Sequence, residues 1–136
     1  MYNNILVPVV FSHEESVKAA LAIAKHLLLQ DGKITLLHVV EQIPSYAATM
    51  MPKEVFENSM TDSKAALQEL ADKYCKDAVV TVVTGHSSRT ILDHSDAIGA
   101  KCIVISSHQP GLEDFFLGST AARVVRHARC SVHVIR

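Results

Sequence analysis

One segment of the chain, residues 104–120, places hydroxyl, amide and imidazole side chains between an apolar run and a stretch with helical spacing. Its polar and glycine candidates are Ser106, Ser107, His108, Gln109, Gly118, Ser119 and Thr120. The first amides of a helix have no partner within the helix and lie at its positive dipole end, so they attract anions. The segment therefore predicts a phosphate-binding site. The alternative is that Ser119 and Thr120 only cap the helix.

Other chemistry has less support in the residue pattern. His108 suits donation to a phosphate, with an exposed loop histidine as the alternative. His127, Cys130 and His133 have suggestive spacing, but they fall on a predicted helix end and a predicted strand, so we expect no metal site. His38 lies in mid-strand and is interpreted as a packed, hydrogen-bonded side chain. Because neither a nucleophile elbow nor a P-loop motif is present, we expect no fast enzyme.

The elements that position these residues alternate regularly. Apolar runs predict five strands, at residues 5–10, 34–40, 79–84, 102–105 and 131–135. Most of these runs are continuously apolar, which is typical of parallel strands covered on both faces. Alternation with helices predicts an α/β fold, an open doubly wound five-stranded parallel sheet with helices on both faces, formed by one domain over residues 1–136.

Helical spacing fills the segments between the strands. Ser12 and Glu15 resemble a capping box that begins the first helix, and Asp31-Gly32 is predicted to end it. Pro52 is predicted at the first position of a longer helix. Its predicted buried side consists of Val55, Phe56, Met60, Leu67, Leu70, Ala71 and Tyr74. Ser87 or Ser88 is predicted to cap a helix that ends at Gly99, and a last helix is predicted over residues 118–127.

Composition narrows the class of protein. The chain has 136 residues, 49% of them hydrophobic, and 13 basic against 14 acidic side chains. This near balance predicts no nucleic-acid partner and no anionic membrane partner. The absence of a long apolar span or leader pattern, together with three cysteines in no paired spacing, predicts a cytoplasmic protein with reduced thiols.

The sequence resembles the universal stress protein family along its whole length. The resemblance is carried by Ile5-Leu6-Val7-Pro8, Leu36-Leu37-His38-Val39, Gly118-Ser119, Val124-Val125-Arg126-His127-Ala128 and Val132-His133-Val134-Ile135. The shortened loop Ser107-His108-Gln109-Pro110 is most similar to the enterobacterial F and G type. ATP-binding members carry two glycines where this chain has Ser106 and Gln109.

The resemblance implies binding of an adenine nucleotide, ATP in particular, and a role as a stress sensor or adaptor. It implies that Pro8 and Val39 lie near the adenine, with Val9 beside them, that the backbone of residues 107–109 approaches the phosphates, and that Ser119 and Thr120 bind their oxygens. A family carboxylate is replaced by Val10, so we expect binding without strong magnesium dependence. Weak ATP hydrolysis is a lesser alternative.

The last predicted strand suggests self-association. In a doubly wound order it lies at a sheet edge, where unpaired backbone groups must be covered. The resemblance implies a two-fold homodimer in which this strand pairs antiparallel with its copy. The predicted interface consists of Val132, His133, Val134 and Ile135. A monomer with a masked edge is one alternative, and a dimeric interaction protein that has lost nucleotide binding is another.

Overall fold

The computed structural model describes residues 1–41, 49–107 and 117–136. Its strands are β1 (Tyr2–Pro8), β2 (Leu28–Glu41), β3 (Val79–Gly85), β4 (Cys102–Ser106) and β5 (Ser131–Ile135). Its helices are α1 (Glu14–Leu27), α2 (Lys53–Tyr74), α3 (Ser87–Ile98) and α4 (Ser119–His127). No helix in the described ranges is long and apolar enough to cross a membrane.

The strands form one parallel sheet in the order β3-β2-β1-β4-β5. The predicted fold class is confirmed, and β5 lies at a sheet edge as expected. Strand order reverses at β1, which pairs with β2 on one side and with β4 on the other. Connections of this kind leave a crevice beyond the carboxyl ends of the strands at the reversal point.

Two apolar cores cover the two faces of the sheet. On one face, α1 and α2 pack on Ile5, Val7 and Leu36, with Leu21 and Leu67 fully enclosed. On the other face, α3 and α4 contribute Ile91, Ala121 and Val124 against Leu6, Leu37, Ile103 and Ile105. Continuous apolar strands are needed because successive side chains point to opposite faces and both faces are buried.

The predicted helix caps were wrong at the starts of α1 and α3. The carbonyl of His13 accepts the first helical bonds of α1, from Ser16 and Val17 at 3.1 and 3.2 Å, so His13 and not Ser12 is the N-cap. His86 takes the same role for α3, where its carbonyl accepts from Thr90 at 2.9 Å. No side-chain capping bond forms at either residue.

Gly118 is the N-cap of α4, since its carbonyl accepts from Ala122 at 2.8 Å. Ser119 and Thr120 are therefore the first helical residues, and neither occupies the cap position. Gly99 ends α3 in the left-handed conformation, with φ 66°, as predicted.

The boundary between α1 and β2 also differs from the prediction. The helix ends at Leu27, and Leu28 is already extended. The pairing of β1 with β2 shifts between Tyr2–Leu28 and Asn4–Lys33, which leaves extra residues of β2 in a bulge. Asp31 occupies the left-handed region there, with φ 66°. The residue pair expected to stop the helix thus shapes the bulge instead.

The first half of α2 is more exposed than its apolar spacing predicted. Val55 and Phe56 are exposed, whereas Leu67 and Ala71 are buried. Apolar spacing identifies a stripe on a helix, but it does not show whether another element covers that stripe. Pro52 is the N-cap and not the first helical residue.

Candidate functional site

A cavity of about 420 Å³ lies at the reversal point of the sheet. Its floor consists of the carboxyl ends of β1, β2 and β4 and the residues that follow β1 and β4. The volume falls within the range of roughly 300–1,000 Å³ that small-molecule sites occupy. Position and size together make this cavity the candidate ligand site.

The walls of the cavity are mostly apolar where the strands end. The strand-end residues are Pro8, Val9, Val10, Leu37, His38, Val39, Ile105, Ser106 and Ser107. Val10 is 64% exposed although it is apolar, so its side chain lies at the surface of the site and not in the core. Such walls suit the faces of a flat, weakly polar group.

His38 fixes the backbone that follows β1. Its Nδ1 lies 2.9 Å from the carbonyl oxygen of Val9. Because a carbonyl can only accept, Nδ1 carries the proton, and a neutral ring then leaves Nε2 as an acceptor. The Phe11 ring lies 4.1 Å from the His38 ring, centroid to centroid. The Val9 amide donates to the Leu37 carbonyl at 2.8 Å, so both groups of Val9 are tied to β2.

Three helices direct their amino ends toward the cavity. The residues that line it from the start of each helix are Ser12, His13 and Ser16 for α1, Ser87 for α3, and Gly118, Thr120 and Ala121 for α4. Helix amino ends carry partial positive charge and unpaired amides, so this part of the site favours negative charge.

The amino ends of α3 and α4 are not equivalent. The Glu41 carboxylate accepts from the Ser87 amide at 3.4 Å and also accepts from the Ser87 hydroxyl. An anionic side chain thus already satisfies α3, whereas the first turn of α4 contains no acidic residue. The start of α4 is therefore the better place for an incoming anion.

Ser107 uses its donors within the protein. Its amide and its hydroxyl donate to the Ile135 carbonyl at 2.9 and 3.2 Å, and the residue is buried. Ser107 lines the cavity, but its amide proton is directed to the end of β5. The resemblance had implied an approach of this backbone to phosphates, and its N–H group is occupied in the structure.

The structure gathers most of the predicted binding residues around one cavity. Those that line it are Pro8, Val9, Val10, Val39, Ser106, Ser107, Gly118 and Thr120. Ser119 is exposed and lies outside the lining. His108 and Gln109 fall outside the described residues.

Sequence reasoning missed the contributions of α1 and α3. Ser16 and Ser87 line the cavity, and His38 lines it although it had been interpreted only as a packed histidine. The available signal was positional: each of these serines stands close to the start of a helix that follows a strand of the sheet.

The lining residues that the structure describes include no Asp, Glu, Lys or Arg. In the same ranges, no group of three His, Cys, Asp or Glu side chains is arranged to hold a metal ion. Any anion bound in the described part of the cavity would be held by amides, hydroxyls and helix dipoles, and not by fixed cationic side chains.

Comparison with known proteins identifies the family. The model of the universal stress protein family, Usp, matches residues 1–136. Universal stress protein G of Salmonella typhimurium is 34% identical, with both chains covered completely. Its name agrees with the predicted similarity to the F and G type.

Solved structures show the same fold. Universal stress protein UspA from Lactobacillus plantarum has a TM-score of 0.73 at 26% identity, covering 99% of this chain and 98% of its own. The universal stress protein from Archaeoglobus fulgidus in complex with dAMP has a TM-score of 0.63 at 18% identity, covering 99% and 98%. A universal stress protein in complex with cAMP has a TM-score of 0.65 at 19% identity, covering 99% and 97%. Given a family match over the full length and a close curated relative, this chain belongs to the universal stress protein family.

Proposed function

We propose that this protein binds an adenine nucleotide, ATP in particular, and acts in the stress response as a sensor or adaptor. The observation that carries the proposal is the cavity of about 420 Å³ at the strand-order reversal, which joins apolar strand ends to the amino end of α4. The dAMP and cAMP complexes of two family members support an adenine nucleotide as the ligand class.

The two ends of the cavity match the two ends of a nucleotide. The base lies against the apolar strand ends at Pro8 and Val39. The phosphates point to Gly118 and Thr120, because α4 offers amides that no described acidic side chain occupies. Backbone amides at a helix start bind phosphate without a cationic side chain.

The site favours binding over catalysis. Catalysis of phosphate transfer normally needs a metal ion and a residue that orients the attacking group. The described lining has no carboxylate that would hold magnesium, and Val10 stands where the family resemblance implies an acidic residue. We infer that bound ATP is retained and that its occupancy is the signal.

Substitution of Thr120 by valine tests the placement of the phosphates. Valine keeps the shape of threonine but loses the hydroxyl, and a hydrogen bond to a charged oxygen contributes about 1.5 kcal/mol or more. Calorimetry should show ATP affinity about tenfold weaker, with adenosine affinity unchanged. The control is Thr61→Val on α2. Thr61 is an exposed threonine outside the cavity lining, and its hydroxyl donates to the Glu57 carbonyl one turn earlier in the same helix.

The outcomes of this experiment are distinct. No detectable ATP binding by the wild-type protein would refute the proposed function. An equal loss of ATP and adenosine affinity in Thr120→Val would refute the orientation of the nucleotide and leave binding itself in place.

A second candidate is a nucleotide-independent, dimeric interaction protein. The observation that favours it is β5, an edge strand whose Val132, Val134 and Ile135 side chains are only partly buried. The two candidates separate on one measurement, the release of nucleotide from freshly purified protein by acid and its chromatography. A cytoplasmic location fits both, because Cys75, Cys102 and Cys130 are all free thiols.

A further inference from the structure

The charges of this chain are divided between two regions. Residues 117–136 contain Arg123, Arg126, Arg129 and Arg136 and no acidic residue, so all 14 acidic side chains lie before them. The overall net charge of -1 therefore hides a basic region formed by α4 and β5. A local excess of one sign attracts partners of the opposite sign within about a Debye length, roughly 8 Å at physiological salt.

The outer side of α4 carries part of this charge beside an exposed apolar side chain. Arg123 and Arg126 are one turn apart and exposed, and Val125, which is 46% exposed, lies about 100° further around the helix from Arg126, on the side away from Arg123. Arg129 is the second residue after the helix, with 84% of its side chain exposed. We call Arg123, Val125, Arg126 and Arg129 the α4 surface.

The arginines of the α4 surface are weakly engaged. Arg126 forms no hydrogen bond or ion pair with another described residue. Arg129 lies 3.9 Å from the Asp96 carboxylate, an exposed pair that contributes little and exchanges easily. Arg123 donates to Nε2 of His86 at 3.4 Å, which leaves its other guanidinium donors available.

Stabilisation of the helix does not account for this set. Cations near a helix carboxyl end interact favourably with its dipole, which explains Arg126 and His127 in the last turn of α4. It explains neither Arg123, one turn earlier, nor the exposed apolar Val125.

We propose that the α4 surface binds an acidic segment of a partner protein, whose carboxylates meet Arg123 and Arg126 while an apolar side chain contacts Val125. Guanidinium groups bind carboxylates in a bidentate geometry, and protein contacts combine such charged groups with apolar contacts.

A protein segment fits this surface better than a nucleic acid or a membrane. A long polyanion extends past the α4 surface and meets the rest of the chain, which carries every acidic side chain. A short acidic segment contacts only the basic region. Nucleic-acid binders also place aromatic side chains for base stacking, and the α4 surface has none.

The surface and the cavity lie on the same helix. The first turn of α4 lines the cavity through Thr120 and Ala121, and its second half carries the arginines. The nine-residue helix thus links the two sites, although binding at the α4 surface does not require a nucleotide.

The test uses a short synthetic peptide in which pairs of glutamates flank single leucines, labelled for fluorescence anisotropy. The wild-type protein should bind this peptide, more tightly at low salt than at physiological salt. Arg126→Glu should weaken binding about tenfold or more. The matched control, Lys64→Glu on the exposed side of α2, makes the same charge change elsewhere and should leave peptide affinity unchanged.

A second variant tests the apolar contact at Val125. Val125→Ser should weaken binding of the leucine-containing peptide and leave binding of polyglutamate unaltered. ATP affinity should be the same in wild type and Arg126→Glu, so failure of this proposal can be told apart from failure of nucleotide binding.

Three results would overturn the proposal. These are no peptide binding by the wild-type protein at low salt, an equal loss in Lys64→Glu and Arg126→Glu, and tighter binding of a single-stranded oligonucleotide of the same charge than of the peptide.

Discussion

One hydrogen bond shows which backbone groups of the edge strand β5 face away from the sheet. The Ser107 amide donates to the Ile135 carbonyl, so that carbonyl faces β4. The N–H and C=O groups of successive strand residues point alternately to opposite sides. The amide of His133 therefore faces β4, whereas the amides of Val132 and Val134 face away from the sheet.

Val134→Pro should split a homodimer without unfolding the protomer. In an antiparallel pair of β5 strands, the outward groups of Val132 and Val134 form about four hydrogen bonds across the two-fold axis. Proline at position 134 removes one donor from each copy, a loss of about 2 kcal/mol and thus about thirtyfold in dimer affinity, before any clash of the ring is counted.

His133→Pro is the matched control. It removes an amide that faces β4 and leaves a carbonyl of β4 without its donor, which costs about 1–3 kcal/mol of protomer stability. Val134→Pro should cost less, because its amide faces away from the sheet and has no partner among the residues that the structure describes, and proline is tolerated at sheet edges. Urea unfolding compares the free energies of unfolding of the two variants.

Light scattering at micromolar concentration reads the assembly. The wild-type mass should be twice the 14.9 kDa of one chain, and the mass of Val134→Pro should be that of one chain. A wild-type mass of 14.9 kDa, or a Val134→Pro variant that stays dimeric, would show that β5 is not the interface.

Two further predictions concern titratable groups. Hydrogen bonds from the Lys73 ammonium, at 2.6 Å, and from the Tyr74 hydroxyl, at 2.9 Å, hold the pKa of Glu14 below its ordinary value of 4.5. The contribution of these two bonds to stability is complete above that pH and is lost as the pH falls through the lowered pKa. The urea midpoint of Lys73→Met should therefore fall less steeply below pH 4.5 than that of the wild type. Lys53→Met, which breaks an exposed ion pair at 3.8 Å, is the control and should keep the wild-type slope. Equal slopes in all three proteins would contradict this prediction. Burial raises the pKa of the Cys75 and Cys102 thiols. A disulfide reagent should therefore label only Cys130 rapidly, and the other two thiols only after unfolding. A rapid labelling phase that survives in Cys130→Ser would contradict the burial of Cys75 and Cys102.

The sheet could be predicted because the chemistry of its strands is local. A continuous apolar run such as residues 34–40 indicates a strand buried on both faces, whichever strands lie beside it. The residues at which helices begin were harder to predict from the sequence. Ser12 and Ser87 have suitable cap side chains, yet the cap falls at His13 and His86 because the path of the preceding loop decides which carbonyl accepts the first helical bond.

In the candidate site, too, some residues could be predicted from the local sequence and others could not. Residues directly after β1 and β4 could be assigned from the alternation of strands and helices, because carboxyl ends of parallel strands meet at one edge. Ser87 reaches the cavity only because β2 lies between β3 and β1. The hydrogen bonds between Glu41 and the start of α3 depend on the register of β2 with β3. Strand order and register are set by pairing between distant segments, which the spacing of residues along one chain does not encode.

The position of Val10 leads to a prediction about magnesium. Val10 lines the cavity and is 64% exposed, and no described lining residue supplies a carboxylate that would hold the ion of a magnesium–ATP complex. Affinity for ATP in the wild-type protein should therefore differ little between buffers with magnesium and with a chelator.

Val10→Asp should create a magnesium dependence. Without the ion, the new carboxylate repels the phosphates and weakens ATP binding, and with the ion it gains a ligand, so the ratio of the two affinities should rise about tenfold or more. Because the side chain is exposed, the substitution does not place a charge in the core. Val125→Asp, on the outer side of α4, is the control and should keep the wild-type ratio. A strong magnesium dependence in the wild-type protein would contradict this prediction and would mean that a carboxylate outside the described lining completes the site.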